Sequence, residues 1–321
     1  MILEVRDLVK HFPVRRSLAD LFRGVRKQVH AIDGASFGVE KGETFGIVGE
    51  SGCGKTTTGK VITDLIKKTS GTIVLDGKDT TIAEEYKRKV QMIFQDPYSS
   101  LNPRFKVRDV LEEPLIIQKI GHNRSERRDR MVKALHDVKL EPPEEFLTRY
   151  PHMLSGGQRQ RVSIARTLVL DPKLIVADEP VSMIDLSTRA EILHLMKDIK
   201  KKRDLTYIYI THDLSTGRYF TDRMAVMYLG KIVEIGSADD IIERPGHPYT
   251  KALIAAVPEM RSGRENEIKD LPIKGEISSA IDLPKGCRFN PRCLYAFDRC
   301  REEEPDLRDL GHGHSAACWL A

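Results

Sequence analysis

The sequence has no apolar run approaching the roughly 20 residues that a membrane-spanning helix needs. Its apolar runs, such as Leu174 to Ala177 and Leu253 to Val257, fall far short, so any membrane role is expected to be peripheral. The N-terminus carries no apolar export region or cleavage site and opens directly into the alternation Ile2-Leu3-Glu4-Val5-Arg6-Asp7-Leu8, which makes the cytoplasm the expected compartment. An excess of one charge is also missing. Lys and Arg total 52 against 47 Asp and Glu, a net +5 that does not imply a nucleic-acid partner. There is no internal repeat, no low-complexity tract and no dinucleotide or flavin fingerprint. Cysteine is scarce: of five, Cys53 stands alone, while Cys287, Cys293, Cys300 and Cys318 crowd the last tenth of the chain. In a reducing compartment that clustering suggests metal ligation before disulfides.

What is present is a globular composition, 40% hydrophobic and 31% charged over 321 residues, with core enough for two domains. From residue 43 to 254 short apolar runs alternate with longer amphipathic segments, the pattern of an α/β core on a largely parallel sheet. Strands are expected at Thr44–Val48, Val90–Phe94, Leu174–Ala177, Thr206–Ile210 and Arg223–Met227. Residues 107–170 read as helical, with breaks near Gly121 and at Pro142-Pro143, and so as a helical insert in that core. After about residue 244 the chain becomes punctuated by Pro245, Gly246, Pro248, Pro258, Pro272, Pro284 and Pro291, which sets a boundary and a small C-terminal module.

Gly49-Glu50-Ser51-Gly52-Cys53-Gly54-Lys55-Thr56 fits G-x-x-x-x-G-K-[ST] between an expected strand and a helix running to about Lys67. Glycines let the backbone curl so that successive N–H groups and the helix N-terminus face phosphate oxygens. Gly49, Ser51, Gly52, Gly54 and Thr57 are candidate phosphate contacts. Lys55 would reach the terminal phosphates, and Thr56 would ligate Mg²⁺. The acidic partner such a loop requires stands at the end of the apolar run Leu174–Ala177: Asp178 on the metal side, and Glu179 placed to polarise an attacking water. Leu154-Ser155-Gly156-Gly157-Gln158 opens a further helix, a second anion site by the same dipole argument.

With Leu154–Arg161 the sequence resembles the signature motif of ATP-binding cassette ATPases, and other elements then follow in that family's order. Gln95 resembles the glutamine loop, which implies contact with Mg²⁺ or the attacking water. Ser182-Met183-Ile184-Asp185 resembles the D-loop, although Met183-Ile184 stands where Ala-Leu is more frequent. His212 resembles the switch histidine that senses the γ-phosphate and positions Glu179. Phe12 occupies the place of the adenine-stacking aromatic, with packing into the N-terminal sheet as the other reading. The segments Gln95–Arg104 and Gly246–Leu253, with the cysteine tail, narrow the resemblance to the ATPase subunits of dipeptide and oligopeptide importers.

The resemblance implies a nucleotide-binding domain over 1–244, with an antiparallel β subdomain and a helical subdomain about 97–165, and a C-terminal extension over 245–321. Two copies, or this chain and a homologue, would sandwich ATP head to tail. Each site would then combine Lys55, Thr56, Gln95, Asp178, Glu179 and His212 of one chain with Ser155, Gly156, Gly157 and Gln158 of the other. Two transmembrane permease subunits and, indirectly, an extracytoplasmic solute-binding protein are the implied partners, at the cytoplasmic face of the membrane. Nickel or oligosaccharide import, a soluble cassette ATPase in translation or DNA repair, and an iron–sulfur sensor are the alternatives.

The spacing Cys287-x₅-Cys293-x₆-Cys300-x₁₇-Cys318 lacks the C-x₂-C pairs of readily legible zinc sites, so by itself it leaves a [4Fe–4S] cluster, zinc and a small core of free thiols open. The resemblance implies the cluster. Asn290 and Leu294 depart from the family tail, where histidine and proline are frequent, without removing a thiol. Residues 13–29 carry Arg15, Arg16, Arg23, Arg26 and Lys27 with Leu18, Leu21, Phe22 and Val25 at helical spacing. They read as a basic amphipathic surface insert, with contact to anionic headgroups as the other possibility.

Overall fold

The computed structural model describes residues 1–14, 27–79, 85–257, 273–275 and 278–321. Most of the expected basic insert, residues 15–26 of 13–29, lies outside these. The chain divides into two compact units, one of Met1–Val39, Thr44–Asp79 and Tyr209–Ala321, the other of Glu40–Glu43 and Thr80–Ile208.

The first unit contains two sheets. One is antiparallel, with Gln28–Val39, Leu3–Pro13, Ser70–Leu75 and Lys78–Asp79 in that order. Leu3 and Val5 are buried by simple alternation, but Leu8 falls out of phase. Its burial is restored by a register shift between Val5 and Leu8, where Asp7 takes a left-handed φ of +46°. Such a bulge returns the strand's apolar set to the covered face. The other sheet orders Arg308–Gly311, His314–Ala316, Lys231–Ser237, Arg223–Tyr228 and Thr44–Val48 within this unit, the last two parallel. Thr44–Val48 is buried throughout, as an apolar strand covered on both faces should be.

The tail joins this unit's core directly. Phe289 and Cys293 pack with Val48, Val226, Tyr228, Ile241 and Tyr249. A fully buried carboxylate fastens the last hairpin: Glu234 accepts from the backbone N–H of Gly246 at 2.6 Å and of His247 at 2.9 Å, and lies 2.7 Å from His314 Nε2. With those partners the buried charge is satisfied, as a charge in such a place must be. His247 in turn caps the helix Pro248–Ala256 through its ring nitrogen, accepting from the N–H of Tyr249 at 3.0 Å. Burial holds its imidazole at about 3, so it stays neutral and able to accept.

In the second unit Val90–Ile93 and Leu174–Asp178 pair in parallel. The helices Val107–Ile117, Arg124–Asp137, Pro143–Thr148, Gly156–Leu168 and Leu186–Arg203 supply its remaining core. The first expected break falls at Gly121, with φ +83°, and Pro143 opens the third helix. The division between units runs within the strand Thr206–Thr211. One expected boundary moves: the helix after the phosphate loop ends at Ile62 rather than near Lys67. Thr63 donates its hydroxyl to Gly59 O at 2.9 Å and Asp64 turns to a left-handed φ of +55°, which stops the helix five residues early in favour of local capping.

Candidate functional site

The strand Thr44–Val48 delivers Gly49, and the helix Lys55–Ile62 begins after Gly54. Between them Gly49, Gly52 and Gly54 take φ of +152°, +80° and +112°. Two of these glycines are also required by space. A Cβ on Gly49 would lie 2.3 Å from Met227 O, and one on Gly54 2.1 Å from Ala31 O. The loop is therefore threaded between neighbouring backbones, and its curl is set by contact rather than by its own preference. Lys55 is buried, its ammonium donating to Gly49 O at 2.7 Å and Glu50 O at 2.9 Å. It is folded across the mouth of the loop. Thr56 and Thr57 are half-buried in the first helical turn, and Ser51 and Gly52 are exposed. Cys53 is buried, 3.8 Å from the Lys55 ammonium, and burial pushes its thiol up.

Phe12 is half-buried near the end of its strand, opposite Val29, with the Lys10 ammonium 4.8 Å from the ring centre. Beside it lies a cluster that sequence reading missed. Asp33 Oδ1 is 3.0 Å from His11 Nε2, and Asp33 Oδ2 is 3.3 Å from His30 Nδ1. Among the described residues these are the sole three potential ligand atoms from His, Cys, Asp or Glu that lie mutually within 4.8 Å. The carboxylate is already engaged by the buried Arg288 guanidinium, which also bonds Leu229 O and, at 3.0 Å, Glu304. Burial alone would raise the Asp33 carboxyl, but the hydrogen bonds from Arg288 and His11 outweigh it and hold it at about 2. The arrangement is an ion-pair network fastening the tail to the N-terminal sheet.

In the second unit Asp178 is buried at the end of its strand, and Gln95 donates from Nε2 to Glu179 Oε2 at 3.1 Å. Two residues 84 apart in sequence are thus brought to hydrogen-bond distance. Glu179 takes a φ of +45°, a left-handed conformation that costs a glutamate about 1 kcal/mol or more. The turn is held by Ser182, whose hydroxyl donates to Glu179 O at 3.0 Å. Ser155 caps the helix Gly156–Leu168 by accepting from Gln158 N–H at 3.3 Å, while Gln158 Oε1 accepts from Ser155 N–H at 3.1 Å. This reciprocal cap leaves Ser155 exposed and fixes the helix start. Gly157 sits where a Cβ would meet Thr188 at 2.6 Å. Asp185 caps the helix Leu186–Arg203, and its carboxyl is held at about 2 by the Ser187 hydroxyl and the Thr188 N–H. In the first unit His212 is exposed beyond the strand Thr206–Thr211.

Cys293, Cys300 and Cys318 are buried and Cys287 is half-buried. Burial, then the electrostatic influence of the other three cysteines, pushes the Cys287 thiol up to about 12. Backbone amides are aimed at them: Leu320 N–H donates to Cys318 Sγ at 3.4 Å, and amides of Phe289 and Tyr295 to Cys287 and Cys293. No three of them close to within 4.8 Å.

A second contact that the sequence did not disclose joins this module to the phosphate loop. Arg292, beside Cys293, forms a two-pronged ion pair with Glu50 at 2.8 and 3.1 Å, and Glu50 N–H donates to Tyr249 Oη at 2.8 Å.

The ABC transporter family model matches residues 32–182, and that of the oligopeptide/dipeptide transporter C-terminal region residues 233–300. The chain is 44% identical to the oligopeptide transport ATP-binding protein AppF of Bacillus subtilis, over 99% of this chain and 97% of that protein. It is 43% identical to the dipeptide transport ATP-binding protein DppF of Escherichia coli, over 99% and 94%. Among solved structures, the dimeric ATP-binding cassette MJ0796 bound to ADP and phosphate is similar at a TM-score of 0.63 and 28% identity, covering 74% of this chain and 99% of that one.

Proposed function

The chain belongs to the ATP-binding cassette family, among the ATP-binding subunits of oligopeptide and dipeptide transporters, and from that membership we infer that it hydrolyses ATP to energise peptide uptake through separate membrane-embedded permease subunits. The observation that carries the chemistry is the Gln95–Glu179 hydrogen bond on a strained turn beside buried Asp178. It supports Glu179 as the base that polarises water and Gln95 as the group that orients it. Lys55 binds the phosphates, with the loop residues Gly49, Ser51, Gly52 and Gly54 and with Thr57. Thr56, Asp178 and Gln95 supply the hard oxygen donors that suit Mg²⁺, which neutralises phosphate charge when bound. Phe12 stacks on adenine and His212 senses the γ-phosphate. Ser155, Gly156, Gly157 and Gln158 offer their helix start to the nucleotide of a partner cassette, with Asp185 at the same interface. The exposure of Ser155 and the absence of a Cβ at Gly156 and Gly157 support that role.

We assign the ATPase domain to 1–244, its helical subdomain to about 97–165 and the extension to 245–321. Working at the cytoplasmic face requires a permease contact. A cleft of about 440 Å³ in the second unit, lined by Tyr98, Leu101, Pro103, Phe105, Val110 and Arg166, is suited to it. Tyr98 and Phe105 are exposed there, apolar side chains available to a membrane partner. No helix among the described residues is long and apolar enough to cross a membrane.

The four tail thiols suit a [4Fe–4S] cluster, with zinc as the alternative. Amides directed at the sulfurs would suit the negative charge of a four-iron cluster. Cys287, Cys293, Cys300 and Cys318 would hold it, and it would supply a covalent cross-link of the tail. Glu179→Gln tests the catalytic assignment: ATP affinity should be kept while turnover falls about 10²- to 10⁴-fold. Turnover near wild type would remove Glu179 from the mechanism.

A further inference from the structure

The phosphate loop is held from behind by the cysteine module, and the contact is charged. Glu50 immediately follows Gly49, so its carboxylate stands beside the place where a triphosphate must bind. The Arg292 guanidinium meets both carboxylate oxygens, at 2.8 and 3.1 Å. Its own side chain is only 7% exposed and lies 5.8 Å from the ring centres of Tyr228 and Phe289, which fix its plane. The Glu50 backbone is fastened at the same point by Tyr249. The Lys55 ammonium, in turn, rests on Glu50 O at 2.9 Å, so any movement of Glu50 is felt by the main phosphate ligand. A cavity of about 220 Å³, lined by Glu50, Ser51, Cys53, Tyr228 and Ser278 among others, adjoins the loop and gives an unrestrained Glu50 room to swing.

We propose that Arg292 is a positioning residue of the phosphate loop, one that holds and neutralises Glu50 so that the loop remains receptive to polyphosphate. Loss of the guanidinium leaves a half-buried carboxylate unpaired beside an anion site. Repulsion of the triphosphate at short range in a low-dielectric setting then adds to the loosening of the loop. The two effects are separable, because removing the carboxylate as well abolishes the first. The proposal rests on the ATPase reading above and not on which group the cysteines hold.

The test is a charge cycle on the full chain, with ATP·Mg titrated by calorimetry and metal content measured for each protein. Arg292→Gln should weaken ATP binding about tenfold, equivalent to about 1.4 kcal/mol. Glu50→Gln should bind within about threefold of wild type. The double variant should regain most of what Arg292→Gln lost. Recovery in the double variant supports the proposal even if both Arg292 variants have lost their metal equally, because loss of the cluster cannot then account for the difference between them. Wild-type affinity in Arg292→Gln overturns the proposal. So does a double variant no better than Arg292→Gln, which would mark the pair as a structural fastening alone.

Discussion

Adding one methyl group at Gly54 should cripple nucleotide binding, and the structure sets the scale. The new Cβ would stand 2.1 Å from Ala31 O, where real contacts are not closer than about 3 Å, so the loop or the facing strand must move by about 1 Å. The φ of +112° adds strain of about 1–2 kcal/mol for any residue with a side chain. A displacement of 1 Å in groups that must all converge on phosphate is enough for about a 100-fold loss. Gly54→Ala should therefore lower both ATP affinity and turnover by about that factor. Gly52→Ala serves as comparator: its φ is +80°, but its Cβ would meet nothing within 4 Å. It should show the conformational strain in its thermal stability without the clash. Affinity can be read by calorimetric titration with ATP, turnover by phosphate release and stability by thermal melts. Gly54→Ala binding ATP within threefold of wild type would refute the argument that backbone contact sets the curl of the loop.

Three further outcomes follow from the same geometry. Lys55→Ala and Ser155→Arg should each be inactive alone, yet mixing them should restore about a quarter of wild-type ATPase, since half the dimers would contain one intact composite site; full activity of Ser155→Arg in a strictly monomeric protein would rule out the head-to-tail arrangement. Protein prepared without oxygen should contain iron and sulfide that are lost on replacing Cys293 or Cys300 and kept on replacing Cys53, and elemental analysis finding zinc alone would exclude the cluster. Asp33, held at about 2 from an ordinary 3.8, stabilises the fold above pH 4 and loses that contribution as pH falls from about 4 towards 2. Because the group is partly solvated the loss should be only about 1 kcal/mol. Acid melts of Arg288→Gln as steep as those of wild type over that window would disprove it.

The features legible in the sequence are those whose physics is local. A glycine-rich curl between an apolar strand and a helix, a serine followed three residues on by Gln158, and an acidic pair at a strand end each act through near neighbours, and their spacing can be read directly. The family membership followed from their order. Even local reading missed the stop at Ile62, because a threonine hydroxyl and a left-handed aspartate compete there with an otherwise helical pattern. Only the tertiary structure decided which distant charges meet. Arg292 finds Glu50 across 242 residues and Arg288 finds Asp33 across 255. In a chain with 52 basic and 47 acidic side chains, composition does not select those partners. Burial does: the tail folds onto the same core as the strand that carries the phosphate loop, and a guanidinium enclosed beside Tyr228 and Phe289 must pair with a carboxylate or remain an uncompensated charge.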